Sequence, residues 1–111
     1  LERARQATLE EARSATLELA LAVAGHLVRD AIEADPARVR GLVEDALSRV
    51  RRATAVKVRV HPDDVGALSG LEAELVPDAT LSRGDCVVTS ELGEVDARLS
   101  VRLAALKRAL G

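Results

Sequence analysis

The chain is 111 residues long, with 31% charged side chains and a formal net charge of −2 at pH 7. It contains no Phe, Tyr, Trp or Met, so its core has to be built from Leu, Val, Ile and Ala, and it offers no aromatic platform for nucleic-acid bases. No apolar run reaches the ~18 residues of a membrane span, the N-terminus lacks a signal-peptide layout, and a single Cys gives no disulfide framework. These features point to one soluble domain in a reducing, cytoplasmic setting, with nucleic acid a poor fit as a partner. The lack of Met even at position 1 reads as a piece excised from a longer parent.

Residues 1–34 hold no Pro and one Gly, Gly25, and read as one helix about 50 Å long. Its first half is charged and Ala-rich, with a thin apolar stripe at Leu1, Ala4, Thr8 and Ala12 or Ala15. Leu17 to Val28 is apolar nearly all round. Such a segment has to be covered on more than one side: by the domain's own sheet on one, and by a second helix, a second subunit or a partner on another.

Asp35-Pro36 breaks the pattern, Asp35 as a cap and Pro36 in a first turn where its missing N–H does no harm. The following helix is expected from Pro36 to Ala53, with Val39, Leu42, Val43, Ala46, Leu47 and Val50 as its buried stripe. Asp45 and Arg49 form an i,i+4 pair on its wet side. Ala55 to His61 then alternates, with Val56, Val58 and Val60 on one face and Lys57, Arg59 and His61 on the other, as a half-buried strand does. Pro62 to Leu68 reads as a short helix with acids in its first turn.

Leu71 to Val76 is expected as a second strand and Cys86 to Ser90 as a third, the latter set between turns at Gly84 and Gly93. Asp96 stands where the N-cap of a last helix belongs, ahead of Leu99, Leu103, Leu106 and Leu110. The fold class is therefore α+β: a three-stranded sheet with helices 36–53 and 97–110 packed on it and a long helix 1–34 leading in. Residues 1–16 read as a helical extension and 17–111 as the domain. Val39, Leu42, Leu47, Val56, Val58, Val60, Val88, Leu99, Leu103 and Leu106 are the expected core.

Candidate chemistry is thin. His26 and His61 have no Cys or His neighbour at ligand spacing, so no metal site is expected. Cys86 at the start of a strand fits a small buried hydrophobe better than a nucleophile. Most of Asp63, Asp64, Asp78, Asp85, Glu91, Glu94 and Asp96 flank turns and helix starts, where acids are expected for local reasons. Gly84 and Gly93 do not make a phosphate loop, and helix-end charge accounts for Arg51-Arg52. No catalytic residue or cofactor is expected.

Three blocks carry a family resemblance. Val56, Val58, Val60, His61, Pro62 and Asp64 form the first; Asp78, Leu81, Gly84, Cys86, Val88 and Thr89 the second; Gly93, Val95, Asp96 and Ala97 the third. Together with the helical pair before them they resemble the C-terminal domain of the flagellar assembly protein FliH family, over residues 17–110, and its injectisome counterparts, the type III secretion stators. The resemblance implies a non-enzymatic dimer, similar to the peripheral stalk of a vacuolar-type rotary ATPase. Its C-terminal domains hold the N-terminal helix of the export ATPase, restrain its activity and help localise it at the export apparatus. On that resemblance residues 1–16 are the end of a coiled-coil region, and binding to the flagellar switch belongs to an N-terminal region outside this sequence.

With no Trp or Tyr to serve as an anchor, the domain is expected to supply a Leu/Val groove to an inserted helix. Leu17, Leu21, Leu99 and Leu103 are its candidate partner-binding residues. Two function classes stay open: a stator and ATPase-regulating adaptor, flagellar or injectisome, and a small enzyme domain using Asp96, Asp64 or Cys86.

Overall fold

The computed structural model describes residues 1–111. Helix α1 (Glu2–Ala34) runs unbroken from the N-terminus, straight through the expected boundary at residue 16. Asp35 ends it in extended backbone, and the Asp35 carboxylate accepts a hydrogen bond from Ala37 N at 3.2 Å. Helix α2 (Arg38–Leu47) follows, then a 3-10 turn at Ser48–Val50. The α-helix is thus shorter than the 36–53 expected. Ser48 Oγ donates to the Asp45 carbonyl at 2.5 Å, and this local bond competes with helix continuation.

The sheet has four strands, β1 (Val56–Val60), β2 (Glu74–Pro77), β3 (Cys86–Ser90) and β4 (Gly93–Asp96), in the order β2-β1-β3-β4. β1 pairs parallel with β2 and antiparallel with β3, and β3 pairs antiparallel with β4. The fourth strand corrects the three-strand expectation. β4 carries one apolar residue, Val95, and is defined by its backbone ladder to β3; no alternation of hydrophobicity marks it.

Register follows the period-two reading. Val58 and Val60 are fully buried while Lys57 and Arg59 are exposed. Val58 faces Val88 and Val60 faces Cys86 across the β1–β3 ladder, so all four share the inner face. Against that face α2 lays Val39, Val43 and Ala46, the end of α1 lays Ile32, and a 3-10 turn (Pro62–Leu68) adds Leu68. Each fully buried Val, Leu or Ile stabilises the fold by about 1.5–3 kcal/mol. The outer face carries no helix and shows Lys57 beside Glu74 and Arg59 beside Asp78.

Helix α3 (Leu99–Leu110) is placed differently from the expectation that it packs broadly on the sheet. It buries no residue completely: Leu99 and Leu103 are half-buried and Leu106 is exposed. α2 and Ile32 already fill the inner face, so α3 leaves the sheet at the buried Ala97 and runs along α1. Asp96 ends β4 and does not cap the helix; Arg98 occupies the N-cap position.

Gly84 joins α1 to the sheet. Its φ of +87° suits only glycine, and a Cβ there would run into Ile32 Cδ1. The turn before β3 can therefore seat the root of α1 directly.

Candidate partner-binding surface

At 100° per residue, α1 presents two apolar faces on opposite sides. Leu17, Leu21, Ala24, Gly25, Val28 and Ile32 fall on one and are all half-buried or buried. Leu19, Val23 and Leu27 lie at i, i+4, i+8 on the other, with Leu9 in line, and remain 49–67% exposed. The sequence signal, an all-round apolar segment, is thus resolved into an inner and an outer stripe.

The inner stripe is where α3 lies. Gly25 forms a notch for Leu103: a Cβ at Gly25 would stand 3.3 Å from Leu103 Cδ1. A glycine inside a helix costs about 0.5–1 kcal/mol relative to Ala. Here its absent side chain lets the two helices approach. Lys107 Nζ donates to Glu18 Oε1 at 2.6 Å, and this contact holds the Glu18 carboxyl below the usual carboxylate range. Beyond it a cleft of about 640 Å³ opens between the two helices, walled by Leu17, Ala104 and Leu110 and flanked by Arg13 and Arg108.

All four candidate leucines are therefore half-buried within one chain. Leu103 fills the Gly25 notch, and Leu17 lies beside the end of α3. Leu99, at the foot of α3, lines a narrow hollow with Val28, Ile32 and Leu42, and Leu21 shares the inner stripe of α1. The mid-helix Gly25 was the available clue to the notch; periodicity alone does not reveal it.

Two buried polar clusters fix the foot of α3. Asp85 accepts from Leu99 N at 2.8 Å and from Ser82 N at 3.1 Å, one carboxylate serving the helix start and the turn before β3. Arg102 donates to the carbonyls of Leu42 and Ala97 and to Asp45 Oδ2, joining α3 to α2.

The residues considered for chemistry have structural partners. Asp64 is fully buried and accepts from Arg83 Nε and from Gly84 N, so it ties the 3-10 turn to the β3 approach. Cys86 is fully buried, and burial pushes its thiol pKa up, away from the nucleophilic thiolate. Asp96 is held by Arg98, whose hydrogen bonds lower its pKa. His61 Nδ1 accepts from Asp63 N at 3.0 Å, and His26 stands exposed on α1. No three His, Cys, Asp or Glu side chains are grouped so as to hold a metal ion, and no helix is long and apolar enough to cross a membrane.

The family model for flagellar assembly protein FliH matches residues 1–106, from the first turn of α1 through most of α3. The chain belongs to the FliH family. Among its relatives, the type 3 secretion system stator protein of Yersinia pestis is 33% identical over 81 residues, covering 62% of this chain and 37% of that protein. The stator protein of Yersinia enterocolitica is 32% identical over the same length. The flagellar assembly protein FliH of Borreliella burgdorferi is 23% identical over 111 residues, covering 89% of this chain and 36% of that protein. The chain thus spans little more than a third of the length of the FliH-family relatives it matches.

Proposed function

We propose that this chain is the C-terminal part of a non-enzymatic stator of flagellar protein export, with residues 1–16 continuing a coiled coil and 17–111 forming the ATPase-binding domain. It acts in the cytoplasm, dimerises, holds the N-terminal helix of the export ATPase and restrains hydrolysis. Family membership supports the stator class. The observation that carries the reading is the double-faced α1, with one apolar stripe engaged by α3 and the opposite one bare.

In this reading the outer stripe, Leu19, Val23 and Leu27, receives the second subunit. Residues 2–16 lie fully exposed along the same helix, and an isolated helix of that length is marginal in water without a partner. The ATPase helix is assigned to the region of Leu17, Leu21, Leu99 and Leu103. Sedimentation of the chain and of Val23→Asp with Leu27→Asp tests the dimer, since both positions are exposed and the fold should tolerate them. A dimer that persists in the double variant with unchanged circular dichroism refutes the assignment of the stripe. Capture of the ATPase by the full-length protein, and its effect on hydrolysis, test the adaptor role; neither capture nor a change in rate overturns it.

A second reading has an observation of its own. The secretion stators are more similar in identity, at 33%, than the flagellar relative at 23%. An injectisome stator would restore secretion, not motility, when supplied to strains lacking their own stator.

A further inference from the structure

The two packed faces of α1 are held with very different strength. At its root, Ile32 is 1% exposed within the aliphatic core. Farther out, the only cover on the inner stripe is α3, which has no fully buried residue and exposes Leu106 and Leu110 to 44% and 64%. By comparison, α2, a shorter helix, buries Val39, Val43 and Ala46 completely.

Past its foot, α3 is held by two contacts: Leu103 in the Gly25 notch and the solvent-exposed Lys107–Glu18 pair. Exposed ion pairs add little. Elements with few buried apolar contacts open locally at far lower free energy than the core. No β-strand hydrogen bond depends on α3, so it can leave without disturbing the sheet.

We propose that α3 is a releasable strap, occupying in cis a helix-accepting groove on α1 formed by Leu17, Leu21, Ala24, Gly25 and Val28. The occupant that replaces it is an amphipathic helix with the features α3 displays there: an apolar side chain for the Gly25 notch and, four residues on, a cation for Glu18. This rests on the adaptor reading for the source of that helix, the N-terminus of the export ATPase. It adds that binding proceeds by exchange, so that strap opening limits capture.

Amide hydrogen exchange on this chain alone tests the opening. Amides of residues 103–110 should exchange at least about 100-fold faster than those of β1 and β3. Exchange of α3 at the rate of the sheet overturns the strap. A double variant, Glu18→Cys with Lys107→Cys, then locks it by a disulfide; Cys86 is buried and stays out of the reaction. Oxidation should slow α3 exchange and abolish capture of a synthetic peptide of the ATPase N-terminal helix, and reduction should restore both. Undiminished capture by the oxidised protein, with α3 locked, overturns the exchange. If the wild-type chain opens rapidly but captures no peptide, the ATPase as source of the helix fails, whereas fast α3 exchange still supports the strap.

Discussion

Asp85 caps a helix that begins fourteen residues later: its Oδ1 accepts the Leu99 N–H at 2.8 Å while Oδ2 takes Ser82 N. The first free N–H of α3 is thereby satisfied from within the β3 approach, by a side chain only 8% exposed. Asp85→Ala should cost about 1–2 kcal/mol, read as a lower urea midpoint. It should also accelerate exchange in the first turn of α3 more than in α2.

Asp64 and Arg83 make the only ion pair in the chain with a fully buried carboxylate. Asp64→Ala strands the Gly84 N–H as well as Arg83 and should destabilise by about 2–4 kcal/mol, discounted because Arg83 is part-exposed. Arg83→Ala leaves the carboxylate buried with a single donor. Its loss should be at least as large in the same denaturation series.

Gly84 and Gly93 separate two costs. Both have positive φ, +87° and +129°, but a Cβ at Gly93 meets open space, whereas at Gly84 it meets Ile32. Gly93→Ala should therefore cost about 1–2 kcal/mol of backbone strain. Gly84→Ala should cost more, because the root of α1 has to shift as well. Equal melting temperatures for the two variants would show that Ile32 is not seated on the turn.

Acid should loosen the β3–β4 hairpin. Glu91 accepts hydrogen bonds from Thr54 N and Ala55 N, and these hold its pKa below 4.5. A carboxylate with a depressed folded-state pKa adds stability above its unfolded value, and that contribution is lost as pH falls through the folded one. Urea midpoints measured from pH 7 downward should fall below about pH 4.5, and more steeply for the wild type than for Glu91→Gln.

The elements legible in the sequence were those whose burial imposes a period. β1 showed itself through Val56, Val58 and Val60, and α2 through its Val and Leu stripe. Both match the structure, apart from the tightened end of α2. β4 was not legible, because a strand paired on one edge through backbone hydrogen bonds needs little of its side chains. The cap of α3 was assigned to Asp96 because capping is usually local, and Asp85 supplies it from across the turn. For the partner surface, composition revealed that Leu17 to Val28 had surplus apolar area. It did not show how that area divides, since both stripes read alike until α3 is seen lying on one of them.

The unbroken course of α1 makes it a lever. Its root is clamped where Ile32 enters the core, and α3 braces it from Leu17 to Gly25, leaving residues 2–16 as the free arm, roughly 22 Å at helical rise. Without the brace the free length becomes about 39 Å. The bending stiffness of a clamped rod falls with the cube of its length, so the tip becomes about fivefold more compliant over these two helical lengths. Release of α3 would thus soften the arm against sideways load at the same moment that it frees the groove.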